Sequence, residues 1–206
     1  MKWQRIPKEK AKQPKKGNYK LWKDQIAKEG FYQCVYCALP EPQFGGIRNF
    51  HVEHYKPKKK FQELENDIKN LFYACPICNI FKGDSWPGEP LEDHATSCFP
   101  NPSTVDYNVL FKLDYDLGIV EGNFPASLYL ISALHLNRPQ LVLERRTYHT
   151  DLLTQEVLVI GQKLLNRLKK AKSARASELA IRMGQLFIEI VNLEIELRRI
   201  RPYTSK

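Results

Sequence analysis

The sequence lacks the features that define membrane, secreted and repeat proteins. It has no run near the roughly 20 consecutive apolar residues that a membrane-spanning helix needs. Its charged N-terminal residues include no apolar leader segment, and no internal repeat is visible. We therefore expect an intracellular, cytoplasmic protein with no membrane association.

Acidic residues are scarce relative to basic ones. The chain has 32 Lys and Arg against 23 Asp and Glu, which gives a formal net charge of +9. Residues 1–28 hold ten of the basic residues and only two acids. This excess favours a polyanionic partner, with nucleic acid first, although a solvated basic tail would have the same composition. We predict that residues 1–30 form an extended or loosely ordered basic arm ending in a short helix that Gly30 terminates.

Cysteine is also sparse, with five residues in the chain, and the reducing interior of a cell disfavours disulfides. Four of them form two Cys-x2-Cys pairs, Cys34/Cys37 and Cys75/Cys78. Four thiolates make the tetrahedral site that zinc prefers, and a site with four protein ligands has no open position. A structural zinc is therefore predicted. Cys98 has no counterpart in the pattern and is expected to be a buried or surface thiol.

Between the two pairs lies the stretch FHVEHYKPKKKF, residues 50–61, which places His51, Glu53 and His54 close together. Neighbouring side chains of a strand point to opposite faces. Glu53 and His54 can therefore meet at one phosphate only if the strand ends or bends there, and Pro57 favours such an ending. A histidine with a pKa near 6.5 can take a proton from water at neutral pH.

Read together, the segments CVYC, HVEHYKP and NLFYACPICNIFKGD resemble the HNH endonuclease family of the ββα-metal (His-Me finger) superfamily, in its zinc-stapled branch. The resemblance covers residues 34–84 and implies a role for each matching residue. Glu53 would be a metal ligand and His54 the general base. Asn70 would brace the loop that orients His54, Asn79 would be the second metal ligand, and Lys82 would lie close to the phosphate.

The implied reaction is hydrolysis of a phosphodiester bond that leaves 5′-phosphate and 3′-hydroxyl ends. Carboxylate and amide oxygens suit Mg²⁺ or Mn²⁺ as the catalytic ion. The lysines that follow the motif, Lys56, Lys58, Lys59 and Lys60, are expected to contact phosphates. His51 could complete the metal shell, contact phosphate or face outward from the strand.

The C-terminal half has a different pattern. VLFKLDYDLGIVEG alternates as a β-hairpin does, and Asn137 with Pro139 could begin a helix. Apolar residues then recur every three or four positions and predict two amphipathic helices. Their stripes are Leu153, Val157, Ile160, Leu164 and Leu168, then Leu179, Met183, Leu186, Ile190, Leu193 and Leu197. Basic residues of these helices could also neutralise phosphates: Lys169, Lys170, Lys172, Arg175, Arg198 and Arg199.

The stretch LHLNRPQLVLERR, residues 134–146, is loosely similar to HNH nucleases of Septu-type and retron-associated anti-phage systems, which work with an ATPase. The helical pair could dock such an ATPase or another regulatory protein, or it could pack against the rest of the chain.

We thus predict an α+β protein: a zinc-stapled ββα-metal core, a short β-hairpin and a C-terminal pair of long amphipathic helices. The expected segments are a basic arm at 1–30, an HNH core at 31–95 and a β-hairpin with helices at 96–206. The expected activity is metal-dependent cleavage of nucleic acid, DNA first, in an anti-phage role. A non-catalytic zinc module that binds nucleic acid or protein is the alternative.

Overall fold

The computed structural model describes residues 1–91, 94–168 and 174–200, without the side chains at positions 168, 174–177, 179, 194 and 196–200. Its α+β composition confirms the predicted fold class. The helices and strands follow the order α1 (Lys23–Glu29), β1 (His51–His54), β2 (Leu71–Ala74), α2 (Pro76–Lys82), α3 (Tyr107–Leu110), β3 (Phe111–Asp114), β4 (Ile119–Gly122), α4 (Pro125–Ala133), α5 (Pro139–Leu168) and α6 (Ala174–Ile200). Short 3-10 turns lie at Tyr19–Trp22, Glu41–Phe44, Gln62–Leu64 and Ile68–Asn70.

The chain divides into two compact units, Met1–Arg146 and Thr147–Lys206. This division differs from the three segments that the sequence predicted, since the basic arm, the HNH core and the β-hairpin share the first unit. The boundary falls inside α5, whose first two turns belong to the first unit.

The centre of the first unit is an antiparallel pair of strands followed by a helix. β1 pairs with β2 in the register His51↔Ala74 to His54↔Leu71. Every residue of β2 is buried, as expected for a short strand in a core. Pro76 occupies the first turn of α2, where its missing N–H leaves no hydrogen bond unmade. The predicted end of the strand at His54 and the predicted helix start at Pro76 are confirmed.

The predicted β-hairpin is also present. β3 pairs with β4 from Phe111↔Gly122 to Asp114↔Ile119. The Asp114 side chain accepts a hydrogen bond from the Leu117 amide at 2.8 Å. Gly118 has φ +70°, and a Cβ there would overlap the carbonyl oxygen of Val142. The turn therefore requires glycine for both its backbone angle and its close approach to α5.

The N-terminal arm is extended, but it is not loose. Trp3, Ile6 and Lys8 are buried, and the indole N–H of Trp3 donates to the Tyr36 carbonyl at 2.8 Å. The Lys8 ammonium donates to Glu29 at 2.6 Å. The sequence suggested weak order because lysine and proline dominate the arm, whereas buried residues such as Trp3, Ile6 and Lys8 anchor it.

Helix α1 ends at Gly30, as predicted, and the Gly30 amide donates to the Ile26 carbonyl. The left-handed residues come next. Phe31 and Tyr32 both have φ +55°, although aromatic side chains seldom adopt that region. Phe31 is 55% exposed, so the turn presents an aromatic ring to solvent.

The prediction that Asn137 caps α5 is wrong. Its side-chain oxygen accepts from the Val120 amide and its side-chain nitrogen donates to the Val120 carbonyl, both at 2.8 Å. Asn137 therefore imitates a neighbouring strand along β4, and its side chain is unavailable to the helix amides. Helix α4 was not predicted; Pro125 begins it, and Ser127 bonds back to the backbone of Phe124.

The second unit consists of the rest of α5 together with α6. A Cβ added at Gly184 would overlap Leu165, so glycine lets the two helices approach closely there. Leu165 and Val191 are buried, but much of both apolar stripes is exposed. The exposed members are Leu153, Val157, Ile160, Leu164, Met183, Leu186, Ile190 and Leu193.

Among the described residues, no helix combines the length and the apolar content that crossing a bilayer requires. The predicted phosphate contacts Lys169, Lys170 and Lys172 lie outside the described residues, as do the side chains of Arg175, Arg198 and Arg199.

Candidate active site

The four paired cysteines converge into one buried cluster. Cys34 and Cys37 precede β1, whereas Cys75 and Cys78 begin α2. Their sulfur atoms all lie within 4.8 Å of one another. Zn–S bonds of about 2.3 Å in a tetrahedron place the sulfurs roughly 3.8 Å apart, and the Cys37 and Cys75 sulfurs are 3.9 Å apart. The cluster therefore has the dimensions of a four-thiolate zinc site.

Arg138 lies over this cluster from the segment that leads into α5. Its Nη1 donates toward the Cys78 sulfur at 3.7 Å, and its Nη2 lies 3.9 Å from the Cys75 sulfur. Burial lowers the pKa of the Arg138 guanidinium, but Cys78, Cys37 and Cys75 together outweigh that effect and the net shift is upward. The arginine thus supplies positive charge beside a site that carries excess negative charge when it binds metal.

A second site lies at the end of β1. It is a cavity of about 260 Å³ lined by Glu53, His54 and Asn79, together with Lys58 and Asp84. The structure thus brings the acid, the histidine and the asparagine of the motif to one cavity. Glu53 and His54 meet there because β1 ends at His54.

Glu53 is buried, and it accepts hydrogen bonds from two residues that lie beside the two cysteine pairs in the sequence. Its Oε1 accepts from the Lys82 ammonium at 2.6 Å and from the Tyr36 hydroxyl at 3.1 Å. Burial raises the pKa of the Glu53 carboxyl, and the positive charge of Lys82 opposes this shift. Among the described residues no donor is bonded to Oε2, so that oxygen is available to a metal ion.

Asn79 lies on the first turns of α2 and is bonded to His51. Its Nδ2 donates to His51 Nδ1 at 3.0 Å, which leaves Oδ1 without a hydrogen bond from any described residue. Since a water molecule occupies roughly 30 Å³, the cavity has room for an ion with several waters. Two oxygen ligands and a hydrated ion are a combination that Mg²⁺ uses, so the residues present fit a hard divalent cation.

His54 is fixed by the loop that follows the strand. Its Nε2 lies 2.9 Å from the Glu65 carbonyl oxygen. A carbonyl can only accept, so Nε2 carries the proton and the neutral ring keeps its lone pair on Nδ1. Burial lowers the pKa of the His54 imidazole. The ring is therefore neutral at pH 7 and able to accept a proton.

Asn70 ties the two ends of this loop together. Its side-chain oxygen accepts from the Lys56 amide at 2.8 Å, and its Nδ2 donates to the carbonyls of Lys56 at 3.0 Å and Leu64 at 3.3 Å. Leu64 is adjacent to Glu65, whose carbonyl holds His54. Asn70 is thus placed where it can orient His54 through the backbone.

The predicted phosphate-binding lysines occupy different environments. Lys82 is buried, and its ammonium pairs with Glu53 at 2.6 Å and donates to the His54 carbonyl at 2.8 Å. Lys56 pairs with Glu89 at 2.6 Å and Lys59 with Asp84 at 3.5 Å. Lys58 lines the cavity, and Lys60 is exposed.

Sequence reasoning missed one aromatic wall of the cavity. Tyr19, from the N-terminal arm, also lines it. The Tyr19 ring meets the His54 ring edge-on at 4.7 Å, and its hydroxyl accepts from the Lys58 ammonium at 2.8 Å. The local sequence gives no sign that Tyr19 belongs to the site, because Tyr19 precedes the motif and lies near it only in the folded protein.

Residues 34–85 match the family model described as HNH endonuclease. The match covers about a quarter of the chain, and the four clustered cysteines fit the zinc-stapled branch of that family. The resemblance predicted from the motif is therefore confirmed for this segment, which supports a nuclease-type function in general. No curated protein matches the chain.

Proposed function

We propose that the protein is a metal-dependent endonuclease that hydrolyses phosphodiester bonds with His54 as general base. The observation that carries this proposal is the state of His54. The Glu65 carbonyl holds its Nε2–H, which leaves Nδ1 as the proton acceptor in a cavity that also contains Glu53 and Asn79.

In the proposed reaction, His54 Nδ1 removes a proton from a water molecule in the cavity. The water oxygen attacks phosphorus as the bond to the 3′ oxygen breaks, and the departing oxygen takes a proton from solvent. The products are a 5′-phosphate and a 3′-hydroxyl. Asn70 holds the loop between Lys56 and Glu65 in position while His54 accepts the proton. Lys58 faces the negative charge of the phosphate.

Glu53 Oε2 and Asn79 Oδ1 would hold Mg²⁺ or Mn²⁺, which supplies Lewis-acid stabilisation of the phosphoryl group when bound. Lys82 and Tyr36 fix the carboxylate from its other oxygen. We further propose zinc as the ion of the four-cysteine cluster, since it prefers four thiolates in a closed tetrahedron.

The decisive experiment is incubation of supercoiled plasmid with the protein in Mg²⁺, in Mn²⁺ and in EDTA. We expect metal-dependent nicking that falls at least 100-fold in His54→Ala, the usual loss on removing a general base. His54→Gln retains a donor for the Glu65 carbonyl and is expected to be as inactive. His149→Ala, in the second unit, is the matched control and should cut normally.

Equal activity of His54→Gln and the unmodified protein would contradict the assignment of the base. Retained binding without cutting, with either ion and with DNA or RNA, would instead favour a non-catalytic zinc module. The basic arm and the lysine run favour nucleic acid without distinguishing its sugar, and we propose DNA as the first substrate to test.

The wider role is part of the same proposal. The LHLNRPQLVLERR segment supports an anti-phage effector, and the exposed apolar residues of α5 and α6 support docking of an ATPase or another regulatory protein. Co-purification with a partner that is lost when Ile160 and Ile190 become Asp would test the docking, since both side chains are exposed.

A further inference from the structure

A second cavity lies along the N-terminal arm, outside the segment that matches the family model. It has a volume of about 590 Å³ and is formed by residues of the arm and of α1, with Phe31 at the end of that helix. We name it the arm groove. Its cationic members are Lys10, Lys12 and Lys28, all exposed.

The charge of the arm groove is unbalanced. Its one acid, Glu29, is bonded to the buried Lys8 at 2.6 Å and to Gln25 at 2.8 Å. Lys10, Lys12 and Lys28 form no ion pair with any described residue. Three ammonium groups that form no such ion pair, placed around a concave surface, attract a polyanion.

The arm groove also presents an aromatic ring. Phe31 is 55% exposed and is held there by a backbone with φ +55°. Left-handed angles are costly for an aromatic residue and often mark functional positions. An exposed aromatic ring beside cations is the combination by which proteins bind single strands, because an unpaired base can stack on the ring.

The arm connects this groove to the catalytic cavity. Lys12 lines the groove and Tyr19 lines the cavity. Lys12 and Tyr19 are seven positions apart, so the chain between them spans at most about 25 Å, which is about seven nucleotides at the 3.4 Å spacing of a duplex strand. Single-strand sites commonly cover about 4–16 nucleotides, so one strand can contact both.

We propose that the arm groove binds a single nucleic-acid strand, with Lys10, Lys12 and Lys28 on its phosphates and Phe31 stacked on a base. The inference depends on the proposed function only for the identity of the ligand. It makes an unpaired strand, or an unpaired end of a duplex, the substrate class.

The test is fluorescence anisotropy with a labelled 20-nucleotide single strand in EDTA, where binding is measured without cutting. A Lys10→Gln/Lys12→Gln/Lys28→Gln variant is expected to bind more weakly and to lower the slope of log affinity against log salt by about 2. The control, Lys112→Gln/Lys163→Gln/Arg167→Gln, loses the same charge at exposed positions elsewhere and should keep the slope.

Phe31 is tested separately. Phe31→Leu keeps an apolar side chain without a ring and should weaken single-strand binding about tenfold. Phe31→Tyr keeps an aromatic ring and should bind the single strand as tightly as the unmodified protein. A matched duplex should bind less tightly and should not respond to Phe31→Leu.

Three results would each overturn the inference: no single-strand binding by the unmodified protein, equal slope changes in the two triple variants, or no effect of Phe31→Leu. A chain that binds through the groove but nicks nothing would leave the inference intact and reject the proposed function. Nicking by a protein whose groove variants bind the single strand normally would reject the inference and leave the proposed function intact.

Discussion

The four-cysteine cluster and the cavity at the end of β1 share helix α2 but have opposite physical character. The four sulfurs are buried and face one another, so a metal ion there has no room for a further ligand. In the cavity, Glu53 Oε2 and Asn79 Oδ1 accept no hydrogen bond from any described residue, and the exposed Lys58 lies beside them. A closed site can only stabilise structure, whereas an open one leaves positions for water and phosphate.

The two sites are nevertheless coupled. Tyr36 lies between Cys34 and Cys37, and Lys82 lies on the helix that Cys75 and Cys78 begin. These two residues are the donors that hold Glu53. The closed site therefore fixes the geometry of the open one.

Loss of a cluster ligand should have the largest effect. Cys75→Ala is expected to abolish zinc binding and folding of the first unit, because structural zinc sites contribute about 10 kcal/mol or more. Bound zinc and the thermal unfolding midpoint measure this. Cys98→Ala, which removes a buried thiol outside the cluster, should retain zinc. Full zinc content and an unchanged midpoint in Cys75→Ala would show that the cluster is not a metal site.

Removing Lys82 should come next. Lys82→Met leaves the buried Glu53 carboxylate without its counter-ion, which typically costs about 3–5 kcal/mol of unfolding free energy. The double variant Lys82→Met/Glu53→Gln should recover most of the loss. Lys59→Met, which breaks the exposed pair with Asp84, should change stability by less than about 1 kcal/mol. Denaturant titration distinguishes these cases, and equal losses in the two lysine variants would contradict the buried role of Lys82.

Arg138 sharpens the difference between the sites, since it contacts only the closed one. Arg138→Met removes the N–H groups beside Cys75 and Cys78 and should weaken zinc about tenfold, as loss of an outer-shell partner typically does. Competition with a chromophoric chelator measures this affinity. The zinc affinity of Arg138→Lys should lie between that of Arg138→Met and that of the unmodified protein. A change in Mg²⁺ dependence without a change in zinc affinity would contradict this separation.

The open site should respond to pH through His54. Burial lowers the pKa of its imidazole, and the base acts only when neutral. The nicking rate at fixed Mg²⁺ should therefore be half-maximal below pH 6.5 and fall as the pH drops through the lowered pKa, approaching tenfold per unit. A half-maximal rate above pH 7 would assign the titration to another group.

The smallest effect is expected at the link between the sites. Tyr36→Phe removes one hydrogen bond to Glu53 and leaves the ring in the core. It should cost about 1 kcal/mol of stability and raise the Mg²⁺ concentration needed for half-maximal nicking a few-fold, with zinc content unchanged. Loss of zinc in this variant would mean that Tyr36 acts on the cluster rather than on Glu53.

Local pattern predicted the parts of the molecule that depend on local chemistry. Paired cysteines, the acid beside a histidine, and Pro76 at a helix start each carry their meaning within a few residues. The contributions of Tyr19 and Arg138 to the two sites could not be predicted. Tyr19 lies 35 positions before His54 in the sequence, and Arg138 lies 60 positions after Cys78. The family resemblance implied that Lys82 lies near phosphate, and only the fold reveals its buried pairing with Glu53, because lysine is rarely fully buried.

The cysteine pairs also set an order of events for a newly made chain. Cys34 and Cys37 are synthesised well before Cys75 and Cys78, and the strand bearing Glu53 and His54 lies between them. The segments that carry Tyr36 and Lys82 meet at the four-cysteine cluster, so a metal ion bound there would help to hold both donors against Glu53. Metal capture would then complete the cavity, and the supply of that ion, rather than the rate of translation, would determine how many finished chains adopt this arrangement.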